Sequence, residues 1–132
     1  MRLLGESATL ALYLGEADRA EEIFRAIEIL APEEPVAFHG LAELALARGE
    51  AEEARRAARL AQGAFRADAS GVALGLVLEA RGWLLEGARA EALACLARAE
   101  NLDPAGPGAA MASALAHELA VLDETAGSEV KR

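Results

Sequence analysis

Apolar residues recur at three- and four-residue intervals along most of the chain, which is the spacing of one face of an α-helix. In the segment 17 to 31, Ile23, Phe24, Ile27 and Leu30 form one continuous apolar stripe. Alanine supplies roughly a quarter of the residues and β-branched residues are scarce, which favours close-packed helices over strands. The pattern therefore predicts an all-α protein. Its seven helices are expected at about 3 to 14, 17 to 31, 34 to 48, 51 to 66, 70 to 86, 88 to 102 and 109 to 123.

An internal repeat is superimposed on this pattern. A glycine is followed five residues later by alanine and four residues after that by another apolar residue, in three places. The matching segments are Gly15-x4-Ala20-x3-Phe24-x7-Pro32, Gly49-x4-Ala54-x3-Ala58 and Gly87-x4-Ala92-x3-Leu96-x7-Pro104. The glycines lie 34 and 38 residues apart, close to the period of a two-helix repeat. Glycine accepts the left-handed backbone angles of a tight turn, and proline ends the second helix of a pair.

These spacings resemble the tetratricopeptide repeat, and Trp83 stands where that family has an aromatic residue in the first helix of a repeat. The resemblance implies three helix-turn-helix repeats in a right-handed solenoid, at about 1 to 34, 35 to 68 and 73 to 106. The helix at about 109 to 123 would then cap the open end of the solenoid. Its predicted apolar face consists of Met111, Leu115, Leu119 and Leu122. Residues 1 to 124 are thus expected to form one domain and residues 125 to 132 a flexible tail.

The resemblance also implies a binding surface, because this family binds partners on the concave face, which the first helix of each repeat lines. Repeat one contributes Thr9, Leu12 and Tyr13; repeat two contributes Val36, His39, Glu43, Leu46 and Ala47; repeat three contributes Leu74, Val77, Arg81, Leu84 and Leu85. Most of this surface is apolar, so it would be a liability unless something covers it. A partner segment would provide that cover, or the protein itself would provide it through its terminal helix or a second copy.

The family's chaperone cofactors hold a partner's terminal carboxylate with lysine, arginine and asparagine. This chain lacks that clamp. The residues at its positions are Gly5, Thr9, Gly40, Leu74 and Leu78. Recognition is therefore predicted to be hydrophobic, with an amphipathic helix or an extended apolar segment of another protein as the partner. The expected anchors are Tyr13, Leu46, Leu84 and Leu85, with His39, Glu43 and Arg81 making polar contacts at the groove edge.

A compact, acidic, three-repeat protein with an apolar groove is similar to the small tetratricopeptide chaperones of bacterial type III secretion. Those proteins hold an amphipathic segment of a secretion subunit and prevent premature assembly. A chaperone of this kind is the predicted function, and a generic scaffold for a multiprotein complex is the alternative. A partner that is insoluble on its own would favour the chaperone, and a partner that folds by itself would favour the scaffold.

Charge and composition exclude several other classes. A formal net charge of -9 would repel a nucleic-acid backbone. The single cysteine, Cys95, cannot form an intramolecular disulfide. No apolar run approaches the roughly 18 residues of a membrane span, and the start of the chain is no signal peptide because Gly5 and Glu6 interrupt it. We therefore expect a cytoplasmic protein that does not insert into membranes.

The sequence shows no assembled catalytic constellation. His39 and His117 are the only histidines, and neither has a second histidine three or four residues away to share a metal ion. Phosphate loops, nucleophile elbows and dinucleotide fingerprints are also absent, since the glycines fall at helix junctions. The chain is predicted to have no catalytic residue, no metal and no cofactor.

Overall fold

A computed structural model describes residues 2 to 31 and 35 to 130. The seven helices are α1 Arg2–Tyr13, α2 Ala17–Leu30, α3 Pro35–Ala47, α4 Ala51–Ala64, α5 Ala69–Leu85, α6 Arg89–Leu102 and α7 Pro107–Val130. These described ranges contain no strand, so the all-α prediction is confirmed. The first six helices begin and end within two residues of their predicted bounds.

The last helix differs from its prediction at both ends. It begins at Pro107, where the fixed φ of proline suits the first helical position, and continues to Val130. The tail predicted from residue 125 is therefore helical as far as residue 130, and residues 131 and 132 lie outside the described part. The predicted helix ended at residue 123 because the apolar periodicity ends there, and the flexibility of the last residues stays a prediction. Periodicity governs packing, whereas only a strong breaker such as proline must end a helix.

Three glycine turns join the helix pairs. Gly15, Gly49 and Gly87 have φ angles of 79°, 72° and 73°, a region that costs other residues backbone energy. After each glycine the next backbone N–H reaches back five residues to a helix carbonyl, and these three bonds are 2.8, 2.8 and 3.0 Å long. The recurrence of one turn geometry confirms that the sequence spacing marks a structural repeat.

Packing follows the order of the helices along the chain. Each helix contacts the next, and in addition α1 contacts α3, α3 contacts α5 and α5 contacts α7. The odd-numbered helices therefore form one layer. In the described ranges, the Cα atoms of α2 and α4, and those of α4 and α6, do not approach within 8 Å of each other. This is a helical-repeat arrangement, while the right-handed solenoid stays a prediction.

Two apolar clusters form the core. The first joins α1 to α4 around Phe24 and Ile27, and the second joins α5, α6 and α7 around Leu76 and Leu96. Much of the remaining core is alanine, which lets the helix backbones approach closely. Cys95 is buried in the second cluster, and burial raises the pKa of its thiol to about 11.

Helix α7 packs on α5 and α6 through only part of the predicted apolar face. Its buried residues are Ala109, Ala112 and Leu119, with Leu115 packed beside them. Met111 and Leu122 are exposed, so the predicted common apolar face is wrong for these two residues. Small alanines provide the closest contact, and the larger side chains lie at the edges of the interface.

Candidate functional site: a concave groove

Two adjoining cavities run along the layer of odd-numbered helices, and we call them together the concave groove. The first has a volume of about 240 Å³. It is lined by Thr9, Leu12, Phe24, Val36, His39, Gly40, Glu43, Leu74, Val77, Leu78 and Met111. The second has a volume of about 430 Å³ and is lined by Thr9, Leu12, Tyr13, Glu43, Leu46, Ala47 and Arg81. Because the two share Thr9, Leu12 and Glu43, they form one continuous surface.

The structure brings together eleven of the thirteen residues that the resemblance placed in a groove. Their accessibility differs widely. Tyr13 is 86% exposed, whereas Val77 is only 2% exposed and forms part of the cavity wall without offering a free surface. Val77 therefore forms part of the groove wall and offers little free surface to a partner.

Leu84 and Leu85 do not line either cavity. Leu84 is partly buried and packs against the second core cluster, so its side chain is already occupied. Leu85 is the last residue of α5 and is 48% exposed outside the groove. Two of the four predicted anchors thus lie elsewhere, and Tyr13 and Leu46 are the two that line the groove.

Four lining residues were not in the predicted set: Phe24, Gly40, Leu78 and Met111. Phe24 belongs to α2, yet its ring reaches the groove because residue 40 has no side chain. A Cβ atom at Gly40 would overlap the Phe24 ring. A glycine inside an apolar helix was the available sequence signal for such a close approach.

Met111 reaches the groove from the terminal helix. It lines the first cavity together with Leu74 and Val77 of α5. Helix α7 therefore covers part of the groove at this end, which is the alternative in which the protein's own terminal helix provides the cover. Among the described residues, the end near Tyr13 is open. Covering is partial, because Met111 itself is 46% exposed.

The charged residues of the groove are paired with each other. Arg81 donates a 2.8 Å hydrogen bond to Glu43, which ties α5 to α3. The ring of His39 lies with its centroid 5.0 Å from that of Phe65. Burial lowers the pKa of His39 below 6.5, against smaller opposing effects of Glu43 and of a hydrogen bond to the backbone of Gly71. His39 is therefore neutral at pH 7, and its Nε2 atom is buried with no hydrogen-bond partner among the described residues.

Within the described ranges, no group of three or more histidine, cysteine or acidic side chains is placed to hold a metal ion. None of the helices in the same ranges is both long enough and apolar enough to cross a membrane. Among the described residues, the groove combines apolar walls, a paired glutamate and arginine, and an open end near Tyr13. Such a surface can bind the apolar face of another polypeptide.

No protein-family model matches the chain, and no curated protein matches it in sequence. Solved structures do match. The chain is similar in fold to a secretion chaperone. That protein is the type III secretion translocator chaperone SycD of Yersinia enterocolitica, whose crystal structure is described as an alternative dimer. The TM-score is 0.73 at 20% sequence identity, and the match covers 89% of this chain and 92% of SycD. At that identity the likeness establishes a shared helical-repeat fold.

Proposed function

We propose that this protein is a chaperone that holds an amphipathic segment of a partner protein in its concave groove. The observation that carries the proposal is the continuous apolar surface along α1, α3 and α5, whose charged residues Glu43 and Arg81 are already paired. A partner therefore gains from burying apolar side chains there. The fold likeness to SycD, a translocator chaperone, supports the same reading.

The physical basis is the exchange of two exposed apolar surfaces for one buried interface. Burying a leucine-sized side chain contributes roughly 1.5 to 3 kcal/mol, so a helix that inserts two or three such residues gains enough to offset its ordering. Tyr13 is the most accessible aromatic anchor, and Leu12 and Leu46 form the wall beside it. We further propose that the partner is a type III secretion subunit and that binding occurs in the cytoplasm.

Site-specific photo-crosslinking tests the proposal. A benzophenone amino acid is placed at residue 13, inside the groove, and in a second variant at residue 85, which is exposed but outside it. After irradiation in cells of the source organism, mass spectrometry identifies the crosslinked segments. We expect residue 13 to capture an amphipathic segment that residue 85 does not capture, and the captured protein to aggregate when expressed alone.

A matched pair of substitutions completes the test. Tyr13→Asp and Leu85→Asp introduce the same charge at two exposed apolar positions, and only the first should release the captured protein. Equal capture at both positions, or release by both variants, would show that the groove is not the binding surface. A captured partner that is soluble and folded by itself would favour the assembly scaffold over the chaperone.

A further inference from the structure

The first cavity of the concave groove has a histidine in its wall. His39 of α3 lines this cavity beside Val36, Leu74 and Val77, and the residue is only partly buried. Its ring packs on Phe65, with the ring centroids 5.0 Å apart and the ring planes at 36° to each other. The imidazole therefore contacts both the groove and the connection between α4 and α5.

The backbone at the start of α5 holds this arrangement in place. Gly71 lies in the first turn of α5, and a Cβ atom there would overlap the Phe65 ring. Phe65 thus packs directly on the α5 backbone and has no room to move in that direction. The backbone of Gly71 also makes a hydrogen bond with His39. The imidazole is therefore held by α5 as well as by its own helix.

This setting suits the neutral ring and opposes the protonated one. A neutral imidazole has one N–H, whereas a protonated imidazole has an N–H at both nitrogens and a full positive charge. The Nε2 atom of His39 is buried and has no hydrogen-bond partner among the described residues. The protonated ring would therefore place a charged donor in a buried position without an acceptor, which costs free energy.

The charged groups around the ring do not reverse this preference. Glu43 lies one turn further along α3, but its carboxylate accepts the 2.8 Å hydrogen bond from Arg81 of α5. Its attraction for a protonated His39 is therefore smaller than the effect of burial. On α1 the titratable group at the groove is the phenol of Tyr13. The contacts from α2, the α4–α5 connection and α7 are the uncharged Phe24, Phe65 and Met111.

We propose that the concave groove releases its partner on mild acidification and that His39 is the group that takes up the proton. The inference rests on the proposed function, because it concerns the partner segment in the same groove. An apolar side chain of the partner in the first cavity would cover the exposed part of His39 and exclude the water that solvates a charged ring. The bound partner therefore favours the neutral ring.

Thermodynamic linkage makes this effect reciprocal. If the partner disfavours the proton on His39, the proton weakens the binding of the partner by the same factor. Burial already lowers the pKa of His39 below 6.5 in the free protein. Partner affinity should therefore be complete above pH 6.5 and should fall as the pH drops below the pKa of the free protein, by at most about tenfold per pH unit.

Fluorescence titration of the full chain with N-phenyl-1-naphthylamine tests the inference, because this apolar probe is uncharged and brightens in an apolar site. The affinity of the wild type should fall at least about threefold between about pH 7.5 and pH 5. His39→Gln cannot take up the proton and should bind the probe equally at both pH values. His117→Gln is the matched control, since His117 is exposed on α7 outside the groove, and it should keep the pH dependence.

NMR of the wild type gives a second measurement that remains valid even if His39→Gln fails to fold. The imidazole signals are followed against pH with and without saturating probe. The probe should lower the pKa of His39 further and leave the signal of His117 unchanged. A probe affinity that does not depend on pH, a pH dependence that His39→Gln retains, or a His39 signal that the probe does not affect would each overturn the inference.

Photo-crosslinking at residue 13 separates this inference from the proposed function. Capture of a partner segment with equal yield at about pH 7.5 and pH 5 would overturn the acid release and leave the groove as the binding surface. Failure to capture any segment at either pH would instead overturn the proposed function, whatever the probe shows.

Discussion

Replacing Glu79 should destabilise the fold more than any exposed substitution, because this buried carboxylate joins α4 to α5. It is 7% exposed. Gln62 of α4 donates a 2.9 Å hydrogen bond to it, Trp83 donates one of 3.3 Å, and Arg59 lies 3.5 Å away. Burial alone would raise the pKa of Glu79, but the hydrogen bonds from Gln62 and Trp83 and the charge of Arg59 outweigh burial and lower it. Glu79 is therefore ionised in the folded protein.

The size of the destabilisation follows from the partners of Glu79. A hydrogen bond to a charged group contributes about 1.5 to 3 kcal/mol, and we take the low end for Gln62 and Trp83 because both are partly exposed. The side chain of Arg59 is 56% exposed and is solvated after the change, so its contribution is small. The free energy of unfolding of Glu79→Ala should thus fall by about 3 kcal/mol. In a domain of this size that lowers the melting temperature by about 10 °C.

Thermal unfolding followed by circular dichroism measures the loss, and the fluorescence of Trp83, the one tryptophan, reports on the same network. Glu79→Gln is the control, because it keeps the shape and one acceptor and should lose about half as much. A melting temperature of Glu79→Ala within about 2 °C of the wild type would refute the reasoning, since the network would then contribute nothing net.

The same network predicts a pH dependence. Because the pKa of Glu79 is lower in the folded protein than its ordinary value of 4.5, its ionisation stabilises the fold above pH 4.5. That contribution is lost as the pH falls from 4.5 through the folded-state pKa. The stability difference between wild type and Glu79→Gln should therefore shrink over this range, and a difference that grows on acidification would contradict the assignment.

Two further predictions concern His39 and the turn glycines. Burial lowers the pKa of His39, so the stability linked to its neutral form should be complete above pH 6.5 and lost as the pH falls below it, by at most about 1.4 kcal/mol per pH unit. Urea unfolding of the His39→Gln variant should lack this loss. If the variant and the wild type lose stability equally on acidification, the assignment to His39 is refuted. At Gly87, φ is 73° and a Cβ atom would meet nothing within 4 Å, so Gly87→Ala should cost about 1 kcal/mol through backbone strain alone. A Cβ atom at Gly63 also meets open space, but this glycine lies in α4, so Gly63→Ala should instead stabilise the protein by about 0.5 kcal/mol. If both variants shift the melting temperature in the same direction, the comparison is refuted.

Helices and turns could be predicted from the sequence because each depends on residues close together along the chain. The three turn glycines are an example, since a left-handed backbone angle depends on the residue at that position. Eleven of the thirteen residues expected in the groove line the two cavities, because residues at equivalent repeat positions project from α1, α3 and α5 in the same direction. Whether those residues bind a partner stays a prediction.

The parts that could not be predicted depend on contacts between elements. Phe24 reaches the groove only because residue 40 on another helix is glycine. Met111 enters it because α7 packs through its alanines, which leaves the methionine at the edge. Leu84 has the expected helical position but packs against the core. In each case a neighbouring side chain, distant in sequence, decides where an apolar residue lies.

The ion pairs at the repeat junctions show how nearly identical turns can specify one order of packing. Arg48 precedes Gly49 and binds Glu21 of α2 at 2.8 Å, and at the equivalent place Glu86 precedes Gly87 and binds Arg55 of α4 at 2.7 Å. The two ion pairs join equivalent positions of successive repeats, and the acidic and basic residues have exchanged places. Putting α2 in the place of α4 at the end of α5 would bring Glu21 to Glu86, and putting α4 in the place of α2 at the end of α3 would bring Arg55 to Arg48. Both exchanges juxtapose like charges, so the alternation disfavours misordered repeats that the apolar pattern alone would tolerate.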